Sequence, residues 1–112
     1  MKYGEKAAEL KATLNCGQSV ICALEELVGI DDKTAKALGT GLGGGLRCGE
    51  ACGAFTGAVT AMGLTIGADG AGKPGGPMAI ETAKLAEEFK EKFGAIRCKE
   101  LLDAVGGDHS VC

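Results

Sequence analysis

Six cysteines, Cys16, Cys22, Cys48, Cys52, Cys98 and Cys112, are spread through a chain of 112 residues. Their chemistry is that of the thiolate, which ligates soft metal centres and attacks disulfides, and both uses require a sulfur that has lost its proton. No two of them form a Cys-x-x-Cys pair, so any shared centre must be assembled by the fold from distant segments. Cys48 and Cys52 lie four residues apart. On one helix their Cβ atoms would stand about 5–6 Å apart, too wide for a disulfide but suited to two ligands of one metal centre. The simpler alternative is that cysteine replaces alanine among small residues, since free cysteine packs well in interiors. For Cys48 that alternative leads, and for Cys52 both readings stay open.

The other thiols are read from the elements that must carry them. Cys16 falls at a helix start, where unpaired N–H groups and the macrodipole stabilise a thiolate. Cys98 follows Arg97 and is expected in a first helical turn, with the same advantage. Cys112 lies beyond the flexible Gly106-Gly107 pair, where packing gives it little purpose; the plain alternative is a tail that tolerates an exposed thiol. His109 can serve as a mixed ligand with Cys112, although a lone histidine in a polar tail ordinarily stays solvated. Cys22 is six residues past Cys16, rotated well away around a helix, and reads as a packing residue.

Hydrophobic spacing predicts helices throughout. Tyr3, Ala7, Leu10 and Leu14 share a stripe over residues 4–14, followed by a break at Asn15. Val20, Leu24, Leu27 and Val28 share one over residues 16–28, which Gly29 ends. Asp31 is an expected N-cap, with Ile30 and Ala35 placed as a hydrophobic staple and Leu38 continuing inward. The glycines from Gly39 to Gly45 stop that helix. Over residues 48–64, Gly49, Gly53, Gly57 and Ala61 recur every four positions, leaving a bare helix face that a second helix can approach closely. Residues 67–77 form a Gly/Pro loop. Residues 78–93 carry Leu85, Phe89 and Phe93 inward, with Lys84, Glu88 and Lys92 outside. A short helix is expected over 98–104. The fold expectation is therefore one all-α domain over residues 1–112, a compact bundle of about five to six helices with a buried Gly/Ala-rich central helix.

Composition narrows the function. Leu, Ile, Val and Phe together number 24 of 112, close to the roughly 20% below which folding becomes doubtful, so a bound metal group would help offset a thin core. The net charge is −3 and the basic residues are dispersed, which argues against a nucleic-acid partner. The N-terminus lacks the layout of a secretory signal, pointing to reducing cytoplasm rather than to an extracellular disulfide framework. Residues 51–68 carry no charge, but Gly, Ala and Thr drive insertion poorly, so no membrane span is expected. Two glycine patterns imitate nucleotide motifs. Gly39-x-Gly41-x-x-Gly44 follows a helix where the dinucleotide fingerprint needs a strand, and Gly67-x-x-x-x-Gly72-Lys73 is followed by Pro74 where a phosphate loop needs Ser or Thr.

At Asn15-Cys16-Gly17-Gln18, at Gly43-Gly44-Gly45 leading into Gly49-Glu50-Ala51-Cys52-Gly53-Ala54-Phe55-Thr56-Gly57, at Phe89 to Phe93, and at Cys98-Lys99-Glu100-Leu101-Leu102, the chain resembles the redox-active family named for its C-GCAxxG-C-C cysteine pattern. The resemblance runs from about Leu14 to Cys112 and lies in the ordered combination more than in any one piece. It implies a small prokaryotic protein whose four characteristic cysteines, here Cys16, Cys52, Cys98 and Cys112, hold an iron–sulfur cluster or other redox group. Cys22 and Cys48 are additional to the pattern. The functional expectation is a [2Fe–2S] or [4Fe–4S] cluster used for electron transfer or redox sensing with a redox partner protein. A homodimer sharing the site is compatible with this. The alternatives are a metal-free thiol–disulfide protein in which Cys52 attacks and another cysteine resolves, and a structural zinc module. No general base or substrate pocket is visible, so enzyme activity is left open.

Overall fold

The computed structural model describes residues 2–67 and 76–107. Cys112, His109, most of the 67–77 loop and the imitation phosphate motif at Gly72, Lys73 and Pro74 lie outside the described residues. Among the described residues the chain is helical, with α1 (Lys2–Leu10), α2 (Cys16–Ala23), α3 (Glu25–Val28), α4 (Asp32–Gly39), α5 (Gly53–Ile66), α6 (Pro77–Phe93) and α7 (Cys98–Asp103). Its extended backbone contributes one isolated antiparallel bridge, Ala51 to Arg97. The all-α expectation holds, and five of these helices have eight residues or more.

Helix α2 is the hub, and Asn15 starts it. The Asn15 Oδ1 accepts from the Gln18 N–H at 2.8 Å while the Asn15 N–H donates to Gln18 Oε1 at 3.1 Å. This reciprocal cap satisfies two donors that the helix start leaves orphaned, at about 1 kcal/mol for the cap side chain. Helices α1, α4 and α5 all pack on α2. Enclosure from three sides buries Ser19, Ile21, Cys22 and Ala23, so the single stripe expected for this segment is not what the structure uses. Ile21 is wholly buried, a contribution of about 1.5–3 kcal/mol, whereas Leu27 is 57% exposed. The expected continuous helix also breaks at Leu24 (φ −101°, ψ 7°), giving the separate turn α3, which Gly29 ends in the left-handed region.

Helix α4 begins at Asp31, whose side chain accepts from the Thr34 N–H, as its sequence position predicts. Ala35 is fully buried against Ile21 and Cys22, with Ile30, Leu10, Leu14 and Leu42 packed around them. Leu38, expected inward, faces outward because α4 meets α2 along the Ala35 and Gly39 side only. Helix α1 stops at Leu10, and Leu14 reaches the same core from the turn that follows.

The small-residue face is real and belongs to α5, where Gly53, Gly57 and Ala61 are buried. A Cβ on Gly57 would sit 3.1 Å from the Gly17 carbonyl oxygen, and one on Gly53 would sit 2.8 Å from the Leu42 carbonyl oxygen. The expected start at residue 48 is not observed. Residues Gly45–Gly49 form a kinked turn in which Leu46 (φ 59°) and Arg47 (φ 63°) are left-handed and Cys48 is non-helical. The flanking glycines explain it: Gly44, Gly45 and Gly49 all have positive φ, a conformation glycine adopts without cost and a helix cannot use. Cys48 and Cys52 therefore share no helix face. No helix among the described residues is long and apolar enough to cross a membrane.

Candidate functional site

Three helix N-termini converge on one spot, and each begins with a cysteine. Cys16 is the first residue of α2, Cys98 is the first of α7, and Cys52 is the N-cap of α5. All three are buried, Cys16 at 8%, Cys52 at 7% and Cys98 at 6% exposure. They line one cavity of about 70 Å³ whose remaining wall is apolar, with Ala54 from α5, Phe89 and Phe93 from α6, and Leu101 and Leu102 from α7.

Local chemistry explains how segments so distant in sequence meet. The cap at Asn15 fixes the direction of Cys16, and the Asn15 Nδ2 group ties that corner to the Thr40 carbonyl at 3.2 Å. Bare glycine backbone then lets α5 close on it: a Cβ on Gly53 would stand 3.0 Å from the Cys16 Cβ. Cys52 and Cys98 are joined by a short antiparallel seam. The Cys52 N–H donates to the Ile96 carbonyl at 2.8 Å and the Cys98 N–H to the Glu50 carbonyl at 2.6 Å. The Arg97 Nε to Glu50 Oε2 ion pair, 3.2 Å long, lies across this seam at the surface. Gly45 packs beneath it, where a Cβ would come within 2.6 Å of the Cys98 Cβ. Phe89 stacks between Phe55 and Phe93, with ring centroids 5.6 and 4.7 Å away, and so holds the end of α6 over the cavity.

The electrostatics of the pocket favour a bound cation. Burial pushes the Cys98 thiol above its ordinary value, and the neighbouring Cys52 and Cys16 sulfurs push it further in the same direction. Sulfurs that disfavour one another's ionisation are relieved by a metal that takes up their charge. Among the described residues, one trio of ligand atoms lies within 4.8 Å of one another, that of Cys22, Glu25 and Asp32.

Of the four cysteines that the sequence resemblance singled out, Cys16, Cys52 and Cys98 are thus brought together, and Cys112 lies outside the described residues with His109. Cys48 is exposed in the Gly45–Gly49 turn. Cys22 is buried, as a packing residue should be, yet it also meets Glu25 and Asp32. That trio was not anticipated, although the three-residue spacing of Cys22 and Glu25 was readable.

This chain matches the family described as "Putative redox-active protein (C_GCAxxG_C_C)" over residues 14–111. It belongs to that family, so the class defined by fold and site is a small all-α, cysteine-rich redox protein. No curated protein and no solved structure gives a significant match.

Proposed function

We propose that Cys16, Cys52 and Cys98, with Cys112 as fourth ligand, hold an iron–sulfur cluster, [2Fe–2S] or [4Fe–4S], in a single-domain electron-transfer or redox-sensing protein of the cytoplasm. The observation that carries this reading is the meeting of three buried thiols, at three helix N-termini, around one apolar cavity. When bound, such a cluster supplies one-electron chemistry. The chain's own residues do the rest. The helix starts orient the sulfurs. Phe89, Leu101 and Leu102 shield the cavity from water, lowering the local dielectric that sets a potential, while Phe93, expected inward, is 50% exposed at the cavity's edge. Gly45 and Gly53 let backbone approach the sulfur-bearing residues where a side chain would block it. The task needs a redox partner protein, and a homodimer sharing the centre remains compatible with it.

Anaerobic purification of the full chain tests the reading. Visible charge-transfer absorption with iron and acid-labile sulfide is expected. Cys52→Ser should abolish the colour, while Cys48→Ser and Cys22→Ser should keep it. A colourless protein whose zinc is lost with Cys52→Ser would establish the structural-module alternative, and a colourless protein whose pocket cysteines titrate freely the thiol–disulfide one. Colour that survives Cys52→Ser and is lost with Cys22→Ser would overturn the ligand assignment.

A further inference from the structure

A second group of ligand-type side chains lies six residues further along α2. Cys22 of α2, Glu25 of α3 and Asp32 of α4 each offer one ligand atom, and the three atoms lie within 4.8 Å of one another. We propose that these residues form a second metal site, for a divalent cation of the zinc class, independent of the cysteine pocket.

Four observations support it. Cys22 is 3% exposed, so its sulfur is held in place by packing from Ile21 and Ala35. A carboxylate oxygen of Glu25, Oε1, is wholly buried, and the groups that meet this carboxyl are Cys22 and Asp32. Once ionised, the three are all acceptors and cannot satisfy one another, whereas a cation seated among them would. Asp32 supplies the opening: its side chain is 58% exposed, pairs with Lys36 at 2.8 Å and also meets the Glu25 carboxyl. The charge also closes, since three deprotonated donors are balanced by a divalent ion together with Lys36.

The donor set selects the ion. One thiolate with two carboxylates is a mixed soft and hard set, which suits borderline zinc and fits poorly with the all-oxygen preference of magnesium or calcium. Three protein ligands leave a fourth tetrahedral position for water on the Asp32 side, where the site opens. A thiol ligates only after losing its proton, so proton release should accompany metal uptake.

The test is zinc titration of the full chain against a chromophoric chelator, with iron measured on the same samples and helicity checked by circular dichroism. The wild-type protein is expected to take up zinc with proton release. Cys22→Ala and Glu25→Gln should each weaken that uptake by more than the roughly 10–100-fold that follows loss of a ligand's hydrogen-bonding partner, with iron content unchanged. Cys52→Ser should lose iron and retain this zinc. Asp32→Asn decides the matter if the buried variants fail to fold, because Asp32 is exposed and its replacement should weaken zinc while leaving helicity intact. Zinc uptake indifferent to Asp32→Asn and to any folded variant at Cys22 or Glu25, or absence of uptake by the wild-type chain, would overturn the proposal.

Discussion

The thiol of Cys22 is pushed up to about 11, first by burial and then by Glu25, and this has consequences that differ from those of the other cysteines. In the metal-free protein it should resist alkylation at about pH 8, carrying roughly 100-fold less thiolate than an ordinary cysteine, whereas the exposed Cys48 should react first. Mass spectrometry after timed iodoacetamide treatment distinguishes the two. The same shift couples to stability. An unfolded chain releases this proton near an ordinary value of 9.0, and the folded chain keeps it until about 11. The folded state therefore binds more protons across that interval, and stability falls as pH rises through it, by about 2–3 kcal/mol at most. Urea unfolding of metal-free protein at a series of alkaline pH values should show the slope, and Cys22→Ala should flatten it. At the other end of α2, Asn15→Ala should cost about 1 kcal/mol by removing the cap that orients Cys16, read as a lower thermal midpoint.

At the scale of elements, the Gly45–Gly49 turn separates two effects that glycine substitution usually mixes. Gly44 and Gly45 share φ +62°, but a Cβ on Gly44 meets nothing within 4 Å while one on Gly45 strikes the Glu50 carbonyl and Cys98. Gly44→Ala should therefore cost only left-handed strain, about 1–2 kcal/mol, and keep the metal content. Gly45→Ala should cost more and displace α7, with iron lost from purified protein. The contrast also shows where sequence reading reaches its limit. Periodicity revealed α5 and α6 because long, locally patterned segments announce themselves, and Asp31 and Gly29 marked helix ends correctly. Cys48 was assigned to a helix because spacing alone is blind to the positive φ of Gly45, Leu46, Arg47 and Gly49. The outward turn of Leu38 and the burial of Ile21 depend on how many neighbours surround each helix, a tertiary fact absent from any single segment.

For the whole molecule, the sulfur pocket was legible as a set of residues and illegible as geometry. Motif order pointed to Cys16, Cys52 and Cys98, but nothing local predicts the Ala51 to Arg97 seam that sets two of them side by side. The Cys22, Glu25 and Asp32 trio escaped because it joins three short helices whose meeting depends on the breaks at Leu24 and Gly29. The proposed cluster, held by α2, α5 and α7, binds the folded state alone, so iron loading should raise thermal stability by mass action, about 2.7 kcal/mol at a hundredfold excess over Kd. For a chain of this size that amounts to a midpoint shift of several degrees. Differential scanning of iron-reconstituted and iron-free protein should show it, and Cys52→Ser should abolish it.

The seam between Glu50 and Cys98 also dictates timing during synthesis. Helices α2 and α5 can meet as soon as residue 66 has left the ribosome, but the third sulfur is on α7 and emerges only after α6 has been made. Until α7 has been made, the nascent chain carries Cys16 and Cys52 without the Cys98 that closes their pocket, and on the proposed function cofactor delivery follows that step.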